Sequence, residues 1–115
     1  MRAPLRSLAV FAGSNPGSDP AYATVAKALG DLLVEREIHL VYGGAQVGLM
    51  GIVADTVLEA GGKVTGVIPR DLFEKEVAHL ELTELLVVDT MHERKLAIAD
   101  RSQAFVALPG GTGTL

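Results

Sequence analysis

The chain contains no cysteine among its 115 residues, which excludes a disulfide framework, a thiolate nucleophile and cysteine-ligated zinc. That composition suits a reducing cytosol, and a cytoplasmic location is expected. No apolar stretch approaches the roughly 18 uninterrupted residues of a membrane span, and Met1-Arg2-Ala3-Pro4-Leu5-Arg6 leads directly into a strand-like segment, so no membrane or secreted form is expected. Charge is scarce as well: 21% of residues are charged and no long charge run occurs, which argues against a disordered chain. A net charge of -4 speaks against a broad nucleic-acid footprint while leaving room for a local cationic pocket that receives one small anion. What is present is apolar material. Apolar residues make up 49% of the chain and the mean hydropathy is +0.34, enough for one continuous core and a single domain over residues 1–115.

Short apolar runs bounded by turn residues predict strands at 7–12, 39–42, 63–68, 85–88 and 104–108. The last, Ala104-Phe105-Val106-Ala107-Leu108, is unbroken and apolar, the pattern of a fully buried parallel strand. The intervals are helical. Asp19 suits an N-cap and Pro20 the first helical position, and Tyr22, Val25, Leu29, Leu32 and Leu33 form one stripe that ends near Arg36. A second helix is predicted over 47–60 with Leu49, Ile52, Val53, Val57 and Leu58 inward and Gly61-Gly62 as its stop. The crossover over 69–83 has few apolar anchors and reads as a short helix followed by a loop. Alternating elements of this kind make a doubly wound parallel α/β sheet with helices on both faces, whose ligands bind beyond the carboxyl ends of the strands.

The conspicuous residues all fall at that edge. Gly13-Ser14-Asn15, Gly43-Gly44, Pro69-Arg70, Met91 to Lys95 and the terminal glycines each follow one strand. The run Gly43-Gly44-Ala45-Gln46-Val47-Gly48-Leu49-Met50-Gly51 has neither the spacing of the dinucleotide fingerprint nor the lysine and hydroxyl residue of a P-loop. Its glycines fit close backbone approach to a ligand, and they equally fit turn and packing geometry alone. Thr90-Met91-His92-Glu93 is a capping box, in which hydroxyl and carboxylate satisfy reciprocal backbone donors. Arg94 and Lys95 then place two cations in the first turns of a helix, where the macrodipole disfavours them; such violations of local preference tend to mark functional positions, and the two equally fit a solvated basic pair beside Glu93. Ser14 fits a phosphate or ribose contact as well as an ordinary turn. His39, His79 and His92 show no metal-ligand spacing. Pro109-Gly110-Gly111-Thr112-Gly113-Thr114 after a strand is the arrangement in which backbone N–H groups and a helix start receive an anion.

Taken together, Gly43-Gly44 to Gly51, Met91-His92-Glu93-Arg94-Lys95 and the terminal glycine motif closely resemble the Lonely Guy family, the cytokinin riboside 5'-monophosphate phosphoribohydrolases, often labelled lysine decarboxylase-like. The resemblance implies a Rossmann-like fold, a homodimer with sites near its interface, no cofactor, and hydrolysis of a nucleoside monophosphate such as AMP or N6-modified AMP to free base and ribose 5-phosphate. By the same resemblance Gly110, Gly111, Thr112, Gly113 and Thr114 would hold the 5'-phosphate, Arg94 would be catalytic, Lys95 and Glu76 would contact substrate, and Ser14, Gly43 and Gly44 would line the nucleotide site. Thr112 stands where tyrosine is frequent, and Ser102-Gln103 replaces the usual Ser-Asp. The family's catalytic glutamate would fall two positions beyond Leu115. The chain is therefore expected to be a C-terminally truncated domain whose last helix and strand portion is absent. A non-catalytic nucleotide or phospholigand binder of the same fold is the alternative. No lysine sits in a context that suggests a pyridoxal Schiff base.

Overall fold

The computed structural model describes residues 5–12, 20–46, 48–75 and 77–108. Among the described residues five strands and three α-helices follow in the order β1 (Ser7–Phe11), α1 (Pro20–Glu35), β2 (His39–Tyr42), α2 (Gly48–Glu59), β3 (Val64–Pro69), β4 (Glu84–Val88), α3 (Met91–Arg101) and β5 (Ala104–Ala107). All pairings are parallel and the sheet order is β4-β3-β2-β1-β5. The doubly wound sheet expected from the sequence is thus present. Among the described residues the crossover into β4 holds a 3₁₀ turn, Arg70–Leu72, followed by a loop, because that segment has too few apolar anchors to bury a helix face.

Alternation along each strand explains the two cores. Leu8 and Val10, Leu40 and Tyr42 point to the face where Ala26 and Leu33 of α1 and Leu49, Val53 and Val57 of α2 pack. Ala9, Val41 and Val67 point to the other, against Ile98 of α3. A strand buried on both faces needs apolar residues at consecutive positions, which is why these segments read as unbroken runs. On α1 the inward stripe is narrower than expected. Tyr22, Ala26, Leu29 and Leu33 pack inward, whereas Val25 and Leu32 remain 48% and 44% exposed, since each lies about 100° around the helix from its neighbour on that face.

The chain progresses from β1 to β4 in one direction, then α3 carries it back so that β5 pairs with the far side of β1. This reversal is the topological switch point, the position at which open α/β sheets hold ligands. The strand β5 departs from expectation. Phe105 is 55% exposed and Val106 38%, because β5 is the edge of the described sheet and among the described residues it has a strand neighbour on one side alone. Its apolar run encodes a buried strand that the described elements do not fully cover.

A candidate active site at the carboxyl edge of the sheet

At the switch point a cavity of about 640 Å³ opens between the ends of β1 and β2, the start of α3 and β5, a volume that suits a small-molecule or nucleotide-sized ligand. Phe11 and Phe105 form one side, their rings stacked with centroids 6.1 Å apart. Met50 and Met91 add apolar surface, and Gly43, Arg94 and Lys95 supply the polar side.

Arg94 occupies the first turn of α3, whose N-cap is Thr90 with its hydroxyl accepting the Glu93 N–H at 3.0 Å. The other half of the capping box differs from the sequence reading: the Glu93 carboxylate accepts from the Thr90 hydroxyl at 3.2 Å rather than from the backbone. The guanidinium folds towards the sheet. Its Nε donates to the Val67 carbonyl at 2.9 Å and its Nη2 to the Gly43 carbonyl at 2.7 Å. Those carbonyls belong to β3 and to the residue following β2, so their partial negative charge offsets the unfavourable position of a cation at a helix start. Glycine at 43 has a steric cause as well. A β-carbon there would come well inside van der Waals contact with Arg94 Nη2.

The turn that carries Gly43 is tied at four consecutive residues. Gly43 accepts from Arg94; Gly44, at φ 85°, accepts the His79 N–H at 2.8 Å; Ala45 accepts the Tyr42 hydroxyl at 2.6 Å; and Gln46 donates its N–H to Val77 at 2.8 Å. Ala45 and Ala78 form an antiparallel bridge within this stitching. Tyr42 is buried, and burial first, with the Asp55 charge second, pushes its pKa well above the ordinary value, so the phenol remains a donor. From the other side, α2 starts so close to the turn that a β-carbon on Gly51 would collide with the Gln46 carbonyl. The buried His79 ring joins the same assembly through Nε2, 2.6 Å from Asp55 Oδ1 on α2, while Nδ1 accepts the Glu81 N–H at 3.2 Å.

Of the residues singled out in the sequence, Gly43, Arg94 and Lys95 meet at the cavity, and Gly44 stands behind its wall against Leu85 and Ile68. Ser14, Glu76, Gly110, Gly111, Thr112, Gly113 and Thr114 lie outside the described residues. Arg70 pairs with Asp89 at 3.3 Å with both side chains 71% exposed, a surface ion pair of little energetic weight. Sequence reasoning missed the apolar side formed by Phe11, Phe105 and Met50, and it missed the His79–Asp55 contact. The apolar positions carry no signal apart from ordinary strand and helix patterning. The histidine and its partner are 24 residues apart.

Residues 50–115 match the family described as "Possible lysine decarboxylase". A probable cytokinin riboside 5'-monophosphate phosphoribohydrolase of rice is 50% identical over 99% of this chain and 50% of its own length. The cytokinin riboside 5'-monophosphate phosphoribohydrolases of Arabidopsis thaliana and Rhodococcoides fascians are each 47% identical, over 96% and 95% of this chain and 48% and 56% of their own. The chain thus spans about half the length of these curated relatives. Among solved structures, the molybdenum cofactor carrier protein of Chlamydomonas reinhardtii aligns with a TM-score of 0.75 at 23% identity, covering 96% of this chain and 65% of that one. The molybdenum cofactor binding protein of Rippkaea orientalis aligns at 0.74 and 20%, covering 96% and 66%; at such identities the likeness is one of fold. A match over more than half of the chain, joined to relatives about one-half identical along nearly all of it, places the chain in the Lonely Guy family, the family described as possible lysine decarboxylase.

Proposed function

We propose that the protein hydrolyses the N-glycosidic bond of adenosine 5'-monophosphates, N6-modified ones in particular, releasing free base and ribose 5-phosphate. The observation that carries this reading is the anchored Arg94 at the polar side of a nucleotide-sized cavity whose other side is apolar. The names of relatives about one-half identical support it. In the reaction the bond between the sugar's anomeric carbon and the base nitrogen breaks, its electron pair leaves with the base, and water bonds to the carbon. A proton passes from the water to the base. Positive charge builds on the sugar and negative charge on the base in the transition state, so a fixed guanidinium beside the base lowers the barrier. Arg94 is assigned that role, Lys95 a contact to the substrate, and the terminal glycine motif the 5'-phosphate.

The test uses the natural-length protein with N6-isopentenyladenosine 5'-monophosphate and with AMP, free base being followed by chromatography. Base release that is lost in Arg94→Ala supports the assignment. Release no greater than in that variant overturns it, and calorimetric binding of AMP without turnover would favour the non-catalytic alternative. A cytoplasmic homodimer belongs to the same proposal, and size-exclusion chromatography with light scattering tests the pairing.

A further inference from the structure

The polar groups around residues 77–81 have no part in the chemistry just described, yet they are closely hydrogen-bonded to the turn and to α2. His79 is 2% exposed. Its backbone N–H holds the Gly44 carbonyl at 2.8 Å, its Nε2 lies 2.6 Å from Asp55 Oδ1, and its Nδ1 accepts from the Glu81 backbone at 3.2 Å. Both ring nitrogens are therefore committed, Nδ1 as acceptor and Nε2 as donor. Two residues earlier Val77 sits at φ 50°, a left-handed conformation that a β-branched residue adopts only when its surroundings impose it. Its carbonyl receives the Gln46 N–H at 2.8 Å. The segment is thus held against its local preference, and His79 is its only side chain that reaches into α2 among the hydrogen bonds of the described residues.

We infer that His79 is a positioning residue: its ring, latched to Asp55, holds the segment that carries the Gly43–Gly44 turn and through it the carbonyl that anchors Arg94. The chain of contacts is short. Asp55 fixes the ring, the ring fixes the backbone at 79, that backbone N–H fixes Gly44, and the adjoining Gly43 carbonyl takes the Arg94 Nη2 at 2.7 Å. The function assigned to His79 rests on the glycosidic-cleavage reading, because Arg94 must be correctly placed only for charge that develops in the transition state. Loss of the latch should therefore lower kcat far more than it raises KM.

The experiment compares natural-length wild type with His79→Ala, His79→Gln, Asp55→Ala and Asp55→Asn well below their melting temperatures. His79→Ala and Asp55→Ala are expected to lower kcat for base release by at least about tenfold with KM within about threefold. His79→Gln retains a donor towards Asp55, and Asp55→Asn retains an acceptor for Nε2–H, so each recovers most of the loss. His39→Ala removes another histidine hydrogen bond, at the opposite edge of the sheet, and serves as the control that lowers melting temperature without changing kcat. A His79→Ala variant that melts lower but keeps its kcat overturns the inference, as does a His79→Gln variant no better than alanine. A second readout separates this inference from the reaction itself. The Arg94 Nε–H, bonded to Val67, should exchange with solvent at least about tenfold faster in His79→Ala. If wild type releases no base, the reaction reading fails and the latch stands or falls on that exchange rate alone.

Discussion

Arg94 Nη2 lies 2.7 Å from the Gly43 carbonyl oxygen, and it stands too close to leave room for a β-carbon on residue 43. The two positions are therefore coupled: glycine at 43 is the condition for arginine at 94 to lie flat against the strand ends. Gly43→Ala should displace the guanidinium and lower base release by roughly 100-fold, since a shift of about 1 Å in a catalytic group has that effect. The measurement is steady-state hydrolysis of N6-isopentenyladenosine 5'-monophosphate. Activity within twofold of wild type would show that Arg94 has room to move without consequence.

Gly51 meets a different neighbour. A β-carbon there would run into the Gln46 carbonyl, a backbone atom that no rotamer change can move aside. Gly51→Ala should destabilise the fold by about 3 kcal/mol, the upper range for inserting a methyl group into a filled space. Urea denaturation followed by circular dichroism provides the value. A loss under about 0.5 kcal/mol, the scatter of ordinary surface substitutions, would contradict the packing described.

The pH dependence of stability should carry a signature of His39. Its Nε2 stands 2.7 Å from Thr65 Oγ1, and burial first, then the charge of Lys63, lowers its pKa below the ordinary 6.5 against a weaker opposing effect of Glu84. The folded chain therefore protonates this ring less readily than the unfolded chain does. The stability linked to His39 is in place above pH 6.5 and is lost as the pH falls from there through the lowered folded value. Melting temperatures recorded from pH 7.5 downwards should decline more steeply in wild type than in His39→Gln just below pH 6.5. Parallel curves would remove His39 as the source.

The sheet was readable in the sequence because each central strand is covered on both faces, so apolar residues follow one another without interruption and mark it clearly. The same rule misled at β5. Phe105 and Val106 carry the residue types of a buried strand, but burial depends on which elements lie alongside, and the run itself contains nothing about its neighbours. On α1, Val25 and Leu32 looked inward because a stripe drawn from residue type alone is wider than the face that α2 and the sheet occupy. At the site, Arg94 was legible as an anomaly, a cation in the first turn of a helix. Its anchors were not, because they are backbone carbonyls 27 and 51 residues away, and a carbonyl leaves no trace in residue identity. His79 was invisible for the opposite reason. A histidine among charged residues in a loop looks solvated until the fold closes it against Asp55.

The turn from Gly43 to Gln46, bonded at every residue, also determines when conformational entropy is lost. A loop that became ordered around its ligand would spend part of the binding free energy on immobilising its own backbone, of the order of 1 kcal/mol or more for each residue fixed. Here that ordering is completed when the chain folds. Along the Gly43–Gln46 turn, a ligand meets backbone that folding has already fixed, so this stretch adds little ordering cost to binding.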